Sequence, residues 1–359
     1  MSRVPSRLVS SEQPERPHAS AGTGGALDVV GIGSPLVDVL SSASDAEIER
    51  TGLVKGTMTL VDLARAESIY EALGPTVEAS GGSAANTMAG VAALGGAAGF
   101  VGKVADDPLG RVFTHDIGAA GVEFHPAVEK TGQGLEAVGT GRCLVLVGSD
   151  AERTMATHLG VATTISPSDI PADLVARGQI VYLEGYLWDL PPAKEALRRA
   201  IEVCHDNDGS VALSLSDPFC VERHQREFLD LLLDEVDVLF GNEEEVIMLF
   251  GVGSFDMALE AGEETGLLVA ATRGAAGSVV TTAAGPVSVP AAPVDRVVDT
   301  TGAGDLYAAG FLFGLTHGVD PTGCARLGAL CAGEVIGHLG ARPQTDLVAL
   351  ANSAGLMES

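Results

Sequence analysis

Short apolar runs recur along this chain, separated by stretches in which apolar residues return with helical spacing. Leu27-Asp28-Val29-Val30-Gly31-Ile32-Gly33, the residues around Val101, Ile180–Leu183, Val211–Leu215, Val236–Phe240 and Leu267–Ala271 read as buried central strands. Their near-continuous hydrophobicity is what a strand covered on both faces requires. Pro192–His205 and Gln225–Leu233 carry the amphipathic pattern of helices between them. Such alternation predicts an α/β fold with a mostly parallel central sheet and helices on both faces.

Thr57–Val61, Arg142–Val147 and Arg153–His158 break the alternation, because they read as strands with no crossover helix between them. They predict a small antiparallel β layer, either a lid over a site or an edge extension of the main sheet. Residues 1–25, rich in Ser, Pro, Arg, Glu and Gly, predict a disordered tail. Residues 26–359 form one domain in this reading, with lid segments near 36–62 and 134–162.

Composition narrows the function classes. The chain has 48 acidic and 21 basic residues, a formal net charge of -27. Nucleic acid and anionic membranes are therefore poor partners, since both need a basic footprint. Hydrophobic residues make up 46% but aromatics only 4%, so small aliphatic side chains must fill the core. Five widely spaced cysteines with no C-x-x-C pair predict buried, reduced thiols. The eight histidines show no H-E-x-x-H pattern of a zinc enzyme. The N-terminal region lacks the apolar segment of a signal peptide, and no window is long and apolar enough for a membrane span. A cytoplasmic protein, monomer or homodimer, is the expectation.

The densest chemical signal is Asp299-Thr300-Thr301-Gly302-Ala303-Gly304-Asp305, followed by an apolar helix-length segment, Leu306 to Leu315. Backbone N–H groups at a helix start can cradle a phosphoryl group, and small residues let the anion approach. Asp305 would then stand beside the transferring group. A plain strand-to-helix turn is the competing explanation. A Walker A loop is excluded, because no lysine follows the glycines.

Four further motifs can be weighed. Gly81-Gly82-Ser83-Ala84-Ala85-Asn86 precedes a small-residue helix; the glycines and Asn86 suit a hydroxyl-rich ligand, or simply tight packing. Gly31-Ile32-Gly33-Ser34-Pro35-Leu36-Val37-Asp38 is a poor dinucleotide fingerprint, with Leu36 in place of the third glycine and Pro35 interrupting a helix start. Asp38 at the end of this strand and turn can chelate paired hydroxyls or serve as a solvated turn carboxylate. Asn242 and Glu245 fit a helix capping box, and equally a carboxylate beside hydrated Mg²⁺. Thr272-Arg273-Gly274-Ala275-Ala276-Gly277 could wrap a nucleotide, as could many α/β turns.

Together these elements resemble the ribokinase-like (PfkB) family of carbohydrate and nucleoside kinases, from about Asp28 to Arg342. The resemblance implies an ATP- and Mg²⁺-dependent phosphotransferase with an alcohol acceptor. It implies Asp305 as the base and Gly302, Ala303 and Gly304 as the anion hole. Asn242 and Glu245 would organise Mg²⁺ through water, and Thr272, Gly274 and Gly277 would belong to the ATP site. Asp299 and Thr301 fall where many members bind a monovalent cation such as K⁺. Gly33–Asp38, Arg153–Ala162, Glu184–Leu187 and Leu213–Phe219 are similar to stretches of the adenosine kinase branch. That branch implies Asp38, Gly81, Gly82 and Asn86 at the sugar hydroxyls, Arg153 facing phosphate, and Tyr186 and Phe219 flanking a nucleobase. The expected reaction is phosphorylation of a nucleoside 5′-hydroxyl, adenosine to AMP. A sugar kinase for ribose, fructose or a keto-deoxy sugar acid, or a silent nucleoside-binding regulator, are the alternatives.

Overall fold

The computed structural model describes residues 25–129, 138–148 and 152–357. The tail assigned to residues 1–25 lies outside the described residues apart from Gly25, as do positions 134–137 and 149–151 of the lid segment. The main sheet has nine strands, in the spatial order Val287–Val289, Ser278–Val280, Leu268–Thr272, Val238–Asn242, Ser210–Ser214, Gly178–Glu184, Leu27–Ile32, Ala98–Val101 and Glu123–Phe124. From Leu268–Thr272 onward every pairing is parallel; the first two strands form an antiparallel edge. The strands predicted from apolar runs all lie in this sheet.

Both faces are covered. On one, helices Pro191–Asp206, Pro218–Asp234 and Phe255–Thr265 pack around Trp188, Phe228, Val181 and Leu239. On the other, helices Ser83–Ala93, Pro108–Ala119, Ala303–Thr316 and Pro321–Val335 enclose Met88, Phe100, Tyr182 and Phe311. Each large apolar side chain taken from water there contributes roughly 1.5–3 kcal/mol. The Ala303–Thr316 helix is buried on all sides from Leu306 to Leu315, which explains its unbroken apolar sequence. No helix of the described residues is long and apolar enough to cross a membrane.

The lid corrects two expectations. It is a five-stranded sheet in the order Met58–Leu60, Arg153–His158, Gly141–Val147, Leu36–Ser42 and Val77–Gly81, and it is mixed, not antiparallel. Leu36–Ser42 pairs parallel with Gly141–Val147, and Arg153–His158 pairs parallel with Met58–Leu60. Parallel neighbours need long connections, and helices Asp45–Thr51 and Leu63–Ala72 lie within them. These helices cover a separate core of Val39, Ile48, Ile69, Leu144, Leu146 and Ala156. The second correction concerns Asp38. The Gly33–Asp38 segment passes from a turn into a lid strand, so Asp38 stands inside a strand instead of at a strand end.

Candidate active site

The carboxyl ends of the parallel strands share one edge of the sheet, where α/β folds collect ligands. Glu184, Asn242 and Thr272 close three of these strands, and the Gly302–Asp305 turn and the lid face the same edge.

Gly302 is the N-cap of the Ala303–Thr316 helix and has φ 78°, a conformation that favours glycine. It is also packed tightly: a Cβ there would stand 2.7 Å from the Ala341 Cβ. The Ala303 N–H donates to the Thr300 carbonyl at 3.2 Å. Gly304 and Asp305 complete the first helical turn, whose N–H groups have no intrahelical acceptor. Of the expected anion hole, Gly302, Ala303 and Gly304, the Ala303 N–H is thus engaged in its own turn, and Gly302 and Gly304 flank it at the helix start.

Asp305 accepts hydrogen bonds from Ser83 Oγ at 2.6 Å and Asn86 Nδ2 at 3.0 Å. Burial pushes its carboxyl above the ordinary aspartate range, opposed by these two bonds and by the Arg342 charge. Asn86 Oδ1 is buried with no partner, a free acceptor beside the base. A hydroxyl placed there could donate to an acceptor while its oxygen addressed a phosphoryl group.

From the lid, Asp38 lies against Gly81, where a Cβ would come within 2.6 Å of the Asp38 Cγ. Glycine at that position leaves room for the carboxylate, and Gly82 follows as the N-cap of the Ser83–Ala93 helix. Desolvation pushes Asp38 up to about 6, with Arg342 and Arg153 pulling it down and the Asp305 and Asp299 charges adding to the rise. Asp38, Gly81, Gly82, Asn86 and Asp305 therefore lie together.

Arg153 crosses from the lid to the anion turn. Its guanidinium donates to Thr301 Oγ1 at 3.0 Å and forms a salt bridge with the Asp299 carboxylate. Asp299 also accepts from the N–H groups of Thr301 at 3.0 Å and Gly340 at 2.9 Å. The Asp299 side chain is thus held by donors of the protein itself.

On the nucleotide side, Asn242 and Thr272 are register partners on adjacent strands, and Gly274–Ala276 form a 3-10 turn closed by Gly277. Asn242 and Glu245 make a complete capping box: the Asn242 N–H and Nδ2 donate to Glu245 at 2.9 and 2.6 Å, and Asn242 Oδ1 accepts from the Glu245 N–H at 2.9 Å. The capping explanation is therefore geometrically satisfied. Burial pushes Glu245 up to about 7, opposed by the Asn242 backbone bond and reinforced by Asp217 and Glu244. A buried acid whose charged neighbours are acidic is relieved by a cation. Among the described residues no group of three His, Cys, Asp or Glu stands together to hold a metal alone. The donors therefore fit Mg²⁺ carried on a nucleotide and reached through water.

The aromatic pair separates. Tyr186 is half-buried, its hydroxyl donating to the Ser216 carbonyl at 3.3 Å, and burial pushes its phenol well up. Phe219 is 70% exposed near the start of the Pro218–Asp234 helix and makes no ring contact among the described residues. The structure does not enclose it in the site.

Four residues escaped sequence reasoning: Ser83, Glu184, Ser216 and Arg342. Ser83, Glu184 and Ser216 lie inside the Gly81–Asn86, Glu184–Leu187 and Leu213–Phe219 stretches, without being singled out there. Ser216 adopts φ 73°, an unusual conformation for serine, and only the structure reveals it. Arg342 donates to the Ala85 carbonyl at 3.0 Å and to Ser80 Oγ at 3.3 Å, with its Nε buried and unpaired. Burial lowers its guanidinium to about 10, and the Asp38 and Asp305 charges oppose that. It is the cation shared by the two site carboxylates.

This fold and site define a phosphotransferase. Residues 54–346 match the pfkB family carbohydrate kinase description. A fructokinase from Klebsiella pneumoniae is 31% identical over 296 residues, covering 80% of this chain and 93% of that protein. The crystal structure of adenosine kinase from Sinorhizobium meliloti superposes with a TM-score of 0.85 at 46% identity, covering 92% of this chain and all of that one. A probable sugar kinase from Rhizobium etli gives 0.86 and 41%, covering 93% of this chain. The chain belongs to the pfkB family of carbohydrate kinases. It is a nucleoside or sugar kinase that transfers a phosphoryl group to an alcohol, and ATP is the donor that membership implies.

Proposed function

We propose that the acceptor is a nucleoside, adenosine first, phosphorylated on its 5′-hydroxyl with Mg²⁺·ATP. The observation that carries this reading is the cleft face of the lid. Leu40, Val145 and Met155 are register neighbours on three lid strands, on the same face as Asp38 and opposite the Val39–Leu144–Ala156 face covered by helices. A carboxylate for hydroxyls flanked by an apolar roof suits a sugar that carries a flat base. Tyr186 supports the same reading from below, and so does the identity to the Sinorhizobium meliloti adenosine kinase.

In this mechanism Asp38 and Asn86 hold the ribose hydroxyls, and the 5′-OH lies beside Asp305. Asp305 accepts the hydroxyl proton as the oxygen–phosphorus bond forms and the bond to the leaving ADP breaks. The raised carboxyl of Asp305 makes it a better acceptor than an ordinary aspartate. The first-turn amides after Gly302, with Arg153 and Arg342, supply positive potential in an otherwise acidic chain. Mg²⁺, placed through water by Glu245 and Asn242, would spread charge from the transferring group.

A second reading, a sugar kinase, is favoured by the identity to the Rhizobium etli protein. Initial rates with adenosine, inosine, guanosine, ribose and fructose at fixed Mg²⁺·ATP separate the two. We expect adenosine to exceed both free sugars in kcat/KM. Preferential turnover of a sugar would overturn the nucleoside assignment.

A further inference from the structure

Glu184 ends an apolar strand and is 2% exposed, yet no basic side chain is hydrogen-bonded to it among the described residues. Its two oxygens instead accept backbone N–H groups from two separate segments, Ala84 at 3.0 Å and Ser34 at 3.4 Å. The Ser83–Ala93 helix has Gly82 at its N-cap and no side-chain cap of its own. Glu184, 100 residues away in sequence from Ala84, supplies the missing anion at that helix start. Gly33 makes room for it, because a Cβ there would sit 3.2 Å from the Glu184 Cδ and 2.6 Å from the Ala84 Cβ.

The two braced segments are the ones that build the acceptor site. Ala84 lies between Ser83 and Asn86, the two donors that hold Asp305. Ser34 leads into the lid strand that carries Asp38. We propose that Glu184 is a positioning residue for the base: it fixes the first turn of the Ser83–Ala93 helix against the Ser34 loop, and so sets where Ser83 and Asn86 hold Asp305.

This inference rests on the assignment of Asp305 as base. The charge of Glu184 adds a second mark. Burial pushes its carboxyl up to about 7, opposed by the Ala84 bond and reinforced by the Asp305 charge. The ionisable groups coupled to the two carboxylates are Tyr182, Tyr186, Cys220, Asp38 and Arg342. Asp305 is thus already ionised where Glu184 titrates, and the groups that shift Asp305 itself are Ser83, Asn86 and Arg342. Glu184→Gln should therefore leave the acid limb of kcat/KM against pH in place.

The test compares Glu184→Gln and Glu184→Asp with the wild type. Gln keeps the size but sets an amide donor against one of the two N–H groups; Asp keeps the charge but shortens the reach. We expect kcat for the nucleoside to fall by about tenfold or more in both, as small misplacements of reacting groups do. KM for ATP and the acid limb should stay unchanged in both. Amide hydrogen exchange at positions 34 and 84 should lose protection in both variants, a readout that needs no turnover. Unchanged exchange, or unchanged kcat, overturns the proposal. A fall in melting temperature with normal kcat per folded molecule also overturns it, since the role would then be structural. A wild type that turns over no nucleoside sinks the function proposed above, while the exchange measurement still decides the brace.

Discussion

The main sheet and the lid contribute to one site in opposite ways. The main sheet is buried on both faces, and it carries the parts of the site that must not move: the anion turn, Asp305, Asn242 and Thr272. The lid has one face under its own helices and the other over the cleft, and it carries Asp38 and Arg153. In the proposed mechanism the platform supplies the chemistry and, through Asn86, part of recognition, and the lid adds Asp38 and Arg153. A rigid support for reacting groups and a less deeply supported closing element is the division that lid-gated kinases need.

The sharpest way to break this comparison is Asp305→Asn. If the platform owns the chemistry, kcat should fall by at least ~10²-fold, the scale of a lost general base, while nucleotide affinity measured by calorimetry is kept. Near-normal turnover in a folded variant would remove Asp305 from the reaction.

Arg153→Ala tests the lid. Its guanidinium joins the lid to Asp299 and Thr301, so its loss should free the lid strands to exchange amide hydrogens faster. We expect kcat/KM for the acceptor to fall by about tenfold, equivalent to ~1.4 kcal/mol. The ratio of ATP hydrolysis to transfer should rise as water enters. Unchanged lid protection would mean that the contact closes nothing.

The smallest effect is expected from pH acting on Asp38. A carboxylate accepts hydroxyl hydrogens only when ionised, and this one is pushed up to about 6 from the ordinary 3.8. KM for the acceptor should therefore rise as pH falls through that value, and Asp38→Asn should show a high KM with no such inflection. The stability sign runs the other way. The folded state holds this proton more tightly than the unfolded state, so Asp38 contributes stability below its unfolded value that is lost as pH rises through its folded one. Melting curves of the unliganded wild type and Asp38→Asn check this: the variant should lose less stability over that window.

The two regions also differed in how much their residues disclosed. Main-sheet strands carry continuous apolar runs such as Ile180–Leu183, as burial on both faces requires. Lid elements need only one apolar face. The Asp45–Thr51 helix buries just Ile48 and Thr51, and it is held by a Ser44–Glu47 capping box and a left-handed Gly52. The S-x-x-E signal was present in the sequence, but without an apolar stripe it did not stand out. In the site, residues inside glycine motifs were legible because backbone approach restricts them to small side chains. Glu184 and Arg342 were not, because their partners are 100 and 257 residues distant and no local pattern ties them together. Glu184 opens the Glu184–Leu187 stretch that resembles adenosine kinases, and an acidic residue ending an apolar strand is the local clue to its role.

The separate lid core of Val39, Ile48, Ile69, Leu144, Leu146 and Ala156 has a consequence for diversification. Leu40, Val145 and Met155 stand on the opposite face of the same strands, outside that core, although Val145 is itself buried. If the proposed roof sets the acceptor, acceptor choice and phosphoryl transfer are separable in heredity: a lineage could drift from one alcohol to another by repainting a ceiling while its foundations stay fixed. For an engineer, the same division marks the three roof positions as the place to begin a library.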